Sequence, residues 1–465
     1  MKLIRIMVIL VFAAIILAPV AAFHLKEDAI SVIDNRALAA NPFSDEASGD
    51  LTDGIENYVN DRIGFRDEMI LSYTVLHDVL FGEMVHPSYS YGKAGYVFGA
   101  GITVDAPFTE YHEAFADMVK QIQEYCAARN VPFLFVFNPA KPAVLYEYIP
   151  DGIHYDRSWV DGFFAALEQR NVNYLDNTGL LREKTLAGEV VFNQKFDANH
   201  WNDLGAYYGT NAMLERLQSS LPTVHVNELR ELTISQTLQT SLPVSEFPIH
   251  EMVPEIAVDM EVCADGYDKY RDELEMHPSF RTFGYYSNEK RANENAPKAL
   301  AFQGSYMNNF GYKYLANGFS EYIYVHDYQN IIDFAYYFNI FKPDCVIFEV
   351  AEYTFNETYF SYDGMVSIDL NPTLQTAAEE AKINTAQILP PEEITVSQGE
   401  DLTKITWETQ TPARYVWCRL DTAYDMKRSD NGYEATVPTE VYLDNQDELE
   451  IVLLDGETLC TYQSA

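Results

Sequence analysis

Residues 131–137 run Val131-Pro132-Phe133-Leu134-Phe135-Val136-Phe137 without one polar side chain. A strand apolar on both faces has to be covered on both, as happens to a parallel strand held between two layers of helices. Similar runs recur at 172–175, 299–302, 322–325 and 345–350. Phe115, Met118, Val119, Ile122 and Cys126 repeat at helical spacing and predict an amphipathic helix over 108–129. A second helix is expected over 157–170. Strands alternating with helices in this way predict an α/β domain, an open and mostly parallel sheet with helices on both faces. Ahead of it, 53–80 reads as interrupted helix and 91–98 as a turn entering a short strand. The stretch 220–296 is acidic and broken by Pro, and reads as an insertion or cap.

After about residue 375 the texture changes. Pro390-Pro391 marks a boundary, and 394–396, 404–407, 415–417, 440–443 and 450–453 read as short strands. Turn signals at Asp430-Asn431-Gly432 and Asp455-Gly456 separate some of them. The expectation for 386–465 is a small all-β domain, a β-sandwich with Trp407 and Trp417 in its core.

Lys2 and Arg5 precede an apolar run over 6–23. A positive flank, apolar core and polar exit form an export signal, so 1–23 is expected to be a signal anchor or signal peptide. Residues 24–52 follow as a juxtamembrane linker, and the bulk of the chain is expected outside the cytoplasmic membrane. That bulk is acidic: 31 Lys and Arg against 70 Asp and Glu give a net charge of −39. Such a surface repels phosphate backbones, which excludes direct nucleic-acid binding. Five Cys without CxxC or metal-ligand spacing exclude a zinc ribbon or iron–sulfur site. Only Cys418 and Cys460 are candidates for a disulfide.

Two stretches carry chemistry. In Asp197-Ala198-Asn199-His200-Trp201-Asn202 an acid and an imidazole three residues apart can meet in a turn, with Asn202 capping the helix that follows. Trp201 is the aromatic expected near the site. In Ala299-Leu300-Ala301-Phe302-Gln303-Gly304-Ser305 a hydroxyl follows an apolar strand, where a helix N-terminus offers N–H groups to an oxyanion. The plainer alternatives are a turn-forming Asp197, a packed His200 and an N-capping Ser305. His154 and His326 are rival bases, and His326 and Asp327, adjacent in an extended stretch, are expected to point apart.

These pieces resemble the exported alginate O-acetyltransferases of the AlgX/AlgJ type and their DHHW relatives, which are SGNH hydrolase-like. The similar motifs occur in the family's order. Tyr58-x-x-Asp61-Arg62-x-x-Phe65-Arg66, Gly92-Lys93-x-Gly95-Tyr96-x-Phe98 and Pro139-x-Lys141 come first. Asp197…His200-Trp201-Asn202-x-x-Gly205-Ala206, Gly304-Ser305-Tyr306 and Pro343-Asp344-x-Val346-Ile347-x-Glu349-x-x-Glu352 follow. The resemblance implies a flavodoxin-like three-layer domain over 53–375, with Ser305 as nucleophile, His200 as base and Asp197 as its orienting acid. The oxyanion donors would be the Ser305 N–H and Asn308 or Asn309, with Trp201 and Tyr306 against the substrate. It further implies an extracytoplasmic O-acetyltransferase that modifies a polysaccharide through an acyl-serine, fed by a membrane-bound O-acyltransferase, with no metal or diffusible cofactor. The C-terminal domain would be a carbohydrate-binding module or a structural appendage. Two residues separate Asp197 from His200 where the family has one, and Gly304 directly precedes Ser305 without the family's Asp. An acetylesterase and a non-catalytic polysaccharide-binding protein are the rival readings.

Overall fold

The computed structural model describes residues 2–25, 30–31, 36–44, 50–86, 88–99, 107–243, 247–259, 263–265, 269–389 and 393–464. The five apolar runs become strands of one seven-stranded sheet, which two strands from the stretch 220–296 complete. Its strands are β1 (Phe133–Asn138), β2 (Tyr174–Asp176), β3 (Cys263–Asp265), β4 (Phe283–Asn288), β5 (Lys298–Gln303), β6 (Glu321–His326) and β7 (Cys345–Ala351). Their order across the sheet is β2-β1-β7-β5-β6-β4-β3. The first five in that order run parallel, while β4 and β3 close the far edge antiparallel.

The period-two alternation of each strand sorts its side chains between two cores. Phe133, Phe135, Phe137, Phe302 and Phe348 face α2 (Glu110–Ala128), α3 (Ser158–Gln169) and α5 (Phe334–Phe341). Leu134, Val136, Ala299, Ala301 and Ile347 face α4 (Asp203–Gln218). One side of the sheet is therefore a layer of phenyl rings. The other uses small residues that let helices approach closely. The α/β class and the mostly parallel sheet are as expected.

The stretch 220–296 does two things. Thr233–Ser241 and Pro248–Ala257 form a separate antiparallel ribbon. Residues 263–265 and 283–288 join the central sheet as β3 and β4. Gly284 interrupts the apolar pattern of β4 because a Cβ there would lie 2.4 Å from the Tyr324 ring. The interrupted helix at 53–80 is two helices, Leu51–Arg62 and Arg66–Phe81, broken where Phe65 takes a φ of 60°. Helix α1 (Lys2–Ala21) is exposed along its length and is long and apolar enough to cross a membrane.

The C-terminal unit is all-β apart from short helices, as its class predicted, but its form differs from two separate sheets. Eight strands between Ile383 and Ser464 make one continuous sheet. The strand Ala423–Ser429 changes partner along its length: 423–426 pair with Tyr415–Arg419, and 427–429 with Gly432–Pro438. The sheet therefore curls into a half-barrel around Trp407, Val416, Tyr424 and Ile451. Trp417 sits in the opposite face with Ala377 and Val452. Residues 440–443, expected as a strand, lie in a helix, Thr439–Asn445. Val441 and Tyr442 both pack on the half-barrel core, and neighbouring side chains can share a side on a helix but not on a strand. Pro390-Pro391 lie outside the described residues. Cys418 and Cys460 are free thiols. Cys418 is opposite Ile451 and Cys460 opposite Leu453, so a whole strand separates them at about twice 4.8 Å, beyond disulfide reach.

Helix α5 joins this unit to the central sheet. Asn339 Nδ2 donates to the Asp425 carbonyl (2.9 Å) and Asn339 Oδ1 accepts the Asp425 N–H (3.2 Å), while Arg129 pairs with the Asp425 carboxylate at 3.2 Å. Phe348 stands at the centre of the phenyl layer, fully buried against Phe115, Phe135 and Phe360. Phe348→Ala should lower stability by about 3–5 kcal/mol, read from urea unfolding followed by tryptophan fluorescence. A loss below 1 kcal/mol would contradict this packing.

Candidate active site

The serine is delivered by the central strand. β5 ends at Gln303, Gly304 makes the turn, and helix begins at Ser305, continuing into a π-helical turn over Met307–Gly311. The Gly304 N–H donates to Glu349 Oε2 from the neighbouring β7 at 2.9 Å. A Cβ on Gly304 would lie 3.3 Å from the Tyr328 hydroxyl and 3.4 Å from Asp327 Oδ1. A side chain at this position would meet a phenol and a carboxylate at close range.

The acid and base come from a loop without regular structure. Asp197 adopts a φ of 63°, which Asp tolerates better than most residues. Its Oδ1 accepts the N–H groups of Asn199 and His200, each at 3.0 Å. The loop's backbone is pinned from both sides. Buried Lys141, just after β1, donates its Nζ to the carbonyls of Val97 (2.8 Å), Gln194 (3.3 Å) and Asp197 (3.1 Å). Glu251 of the ribbon accepts the N–H groups of Gln194 (2.6 Å), Lys195 (2.9 Å) and Phe196 (2.6 Å). Asn202 caps α4 by accepting the Gly205 N–H at 3.0 Å.

These elements bring the three residues into one row. Ser305 Oγ is 2.8 Å from His200 Nε2, and His200 Nδ1 is 2.9 Å from each Asp197 oxygen. Burial by itself would raise the Asp197 carboxyl. The His200 charge and hydrogen bond, with the two loop N–H groups, outweigh it and hold Asp197 below its ordinary value. The row has what nucleophilic acyl chemistry needs: a hydroxyl, a base in contact with it and a carboxylate that orients the base. Tyr353 was not singled out from the sequence, although it directly follows the Glu349-x-x-Glu352 motif. Its hydroxyl lies 3.0 Å from both Ser305 Oγ and His200 Nε2. Burial, more than any neighbour, pushes this phenol up and keeps it protonated.

Two expected substrate contacts are not available to a substrate. Trp201 and Tyr306 are fully buried behind the row. The Trp201 N–H donates to the Tyr306 carbonyl (3.0 Å), and the Tyr306 hydroxyl donates to the carbonyls of Pro139 (2.7 Å) and Asn199 (2.8 Å). They brace the site from within. Of the oxyanion candidates, the Ser305 N–H lies in a first helical turn, where such groups lack intrahelical partners. Asn309 is exposed and lines the cavity, whereas Asn308, whose Oδ1 accepts Gln303 Nε2 at 2.8 Å, is not among the residues that line it. His154 is exposed on the outside. His326 Nδ1 and Asp327 Oδ1, expected to diverge, are 3.1 Å apart because β6 ends at His326 and the chain turns there.

Below the serine turn lie buried carboxyls. Glu349 also accepts Asn138 Nδ2 at 2.7 Å. Burial, and secondarily the nearby Asp327, pushes Glu349 up to about 8. Glu352 pairs with Arg157 (2.9 Å) and accepts the Ala140 N–H (3.0 Å) and the Tyr155 hydroxyl (3.0 Å). Among the described residues no group of three or more His, Cys, Asp or Glu gathers as a metal site. The row opens on a cavity of about 920 Å³, walled by Tyr89, Tyr155, Trp159, Tyr328, Phe355 and Tyr359.

Residues 91–244 match the family model described as the SGNH hydrolase-like domain of acetyltransferase AlgX. The match covers about a third of the chain, holds Asp197 and His200, and ends before Ser305. No curated protein matches the chain. Several solved structures resemble it. The O-acetyltransferase domain of Pseudomonas putida AlgJ is 13% identical, covering 61% of this chain and 95% of that one, with a TM-score of 0.40. A DHHW family protein from Eubacterium siraeum is 16% identical over 62% and 98%, with a TM-score of 0.43. Pseudomonas aeruginosa AlgX is 10% identical over 75% and 85%, with a TM-score of 0.40. The similarity to AlgX-type SGNH hydrolase-like domains implied by the motifs is thus found by direct comparison.

The buried Glu349 gives stability a pH dependence. It stays protonated in the folded protein up to about pH 8 but ionises in the unfolded chain near its ordinary 4.5. Its contribution is complete below pH 4.5 and is lost as pH rises through 8, at up to ~1.4 kcal/mol per unit. Urea midpoints measured from pH 5 to 9 should fall for the native chain and fall less for Glu349→Gln. Equal slopes would mean that Glu349 is ionised in the fold.

Proposed function

We propose that this protein is an extracytoplasmic O-acetyltransferase that acetylates hydroxyl groups of a cell-surface or secreted polysaccharide through an acyl-serine intermediate. The observation that carries the reading is the Ser305–His200–Asp197 row opening on the aromatic cavity. The match of 91–244 to the AlgX acetyltransferase domain supports the same chemistry. The apolar, exposed α1 supports anchorage at a membrane with the remaining chain outside.

Ser305 Oγ attacks the carbonyl carbon of an acetyl donor while His200 Nε2 takes the hydroxyl proton, leaving an imidazolium that Asp197 stabilises. The oxyanion is met by the Ser305 N–H and Asn309. Collapse expels the donor's leaving group, which takes the proton from His200, and acetyl-Ser305 remains. A sugar hydroxyl then attacks the acetyl carbon, gives its proton to His200, and the second collapse returns the proton to Ser305 Oγ. The Tyr353 hydroxyl, held between Ser305 and His200, keeps both in register. A membrane-bound O-acyltransferase would supply acetyl groups from the membrane side.

An acetylesterase would use the same row with water as acceptor. Size favours the transferase: a cavity of about 920 Å³ is at the upper end for ligand sites and far larger than an acetyl group requires. An acceptor held in attack geometry reaches an effective molarity of ~10⁵ M or more, above that of water.

The test is incubation with 4-nitrophenyl acetate, followed by peptide mass spectrometry. An acetyl adduct on Ser305 is expected. Ser305→Ala and His200→Ala should each lose ~10³-fold or more of the transfer rate with folding retained. Near-native transfer by Ser305→Ala would place the nucleophile elsewhere.

A further inference from the structure

The charge around the cavity selects among polysaccharides. The ionisable side chains that line it are Asp156, Asp197, Glu352, His112 and His200, together with tyrosines. Among the described lining residues there is no Lys or Arg. Lys141 and Arg157, which lie beside lining residues of the cavity, are already engaged. Lys141 is buried against three carbonyls. Arg157 is held by Glu352 at 2.9 Å and by the Thr178 hydroxyl at 3.2 Å. Asp156 is bound by the Ser158 N–H (2.8 Å) and hydroxyl (3.2 Å), which keep its carboxylate ionised. His112 is buried among Phe108, Trp159 and Phe355, and this burial favours its neutral form.

An anionic sugar chain is met by fixed cations, most often Arg forks matched to carboxylate or phosphate. Among the described residues that line it, this cavity offers none. It offers aromatic faces, which pack against the apolar C–H faces of uncharged sugar rings. The chain as a whole carries a net charge of −39, which at low salt works against the association of a polyanion. Resting on the O-acetyltransferase reading above, we infer that the acceptor is a polysaccharide whose repeating sugars carry no carboxylate or phosphate, and that polyuronates are rejected.

The test uses the full-length chain in a neutral polyoxyethylene detergent with 4-nitrophenyl acetate as donor. Acceptors are neutral hexasaccharides (β-1,4-glucan, mannan, galactan and N-acetylglucosamine oligomers) and a mannuronate hexamer. Acetylated products are quantified by mass spectrometry at low and at 0.5 M salt, roughly where charges beyond about 4–5 Å are screened. At least one neutral oligomer should be acetylated ten times faster than mannuronate at low salt, with the gap narrowing at high salt. Asp156→Lys should shift the ratio of mannuronate to neutral transfer upward several-fold, which a purely structural role of Asp156 would not do. Mannuronate transfer equal to or faster than every neutral oligomer would overturn the inference and leave the transferase reading standing. Acetyl-Ser305 formed with no acceptor acetylated would instead remove the transferase reading itself.

Discussion

A single buried ammonium organises the acid–base half of the site. Lys141 Nζ gathers carbonyls from Val97, Gln194 and Asp197, three points that the chain otherwise leaves apart. Taking a cation out of water is costly, and burial pushes this ammonium down to about 7 against the raising effect of Asp197 and Glu251. The cost is offset only because all three donors are used in one place. Glu251 completes the arrangement by taking three consecutive N–H groups of the same loop. With carbonyls bound on one side and N–H groups on the other, a stretch without helix or strand holds its shape. His200 can then meet a serine that lies over a hundred residues away in sequence.

The serine half is fixed by the sheet instead. Its turn rests on Glu349, one strand over, and is crowded by Asp327 and Tyr328. The two halves therefore depend on different physics: electrostatic clamping of a loop, and close packing at the end of a central strand. They are joined where Tyr353 touches both.

How much of this is legible in the sequence depends on the range of each interaction. Five of the sheet's strands are readable because they are wholly or mostly apolar runs, and Asp197, His200 and Ser305 because their local settings are distinctive. Lys141 is visible as part of a motif, but its role is not, since its partners lie 44 to 56 residues away. Nothing near Glu251 marks it as a loop clamp. Trp201 and Tyr306 neighbour His200 and Ser305 in sequence, and adjacency cannot say which of two successive side chains faces inward. The half-barrel is hidden for a related reason. Strand pattern gives alternation, while curling arises where one strand exchanges partners midway. Residues 440–443 mislead because four residues are too few to separate a period of two from one of 3.6.

The pairing of Ile383–Leu389 with Thr458–Ser464 bears on how the chain is made. These are the first and last strands of the C-terminal unit, and they lie side by side and parallel. During synthesis the earlier strand has no edge to join until its partner has been completed. The central sheet can close earlier, because β7, which joins β1 to β5, is finished by residue 351. Assembly should thus proceed in two stages, the central sheet closing while the half-barrel is still being threaded out. An exported chain would then carry an open strand edge for the interval between them.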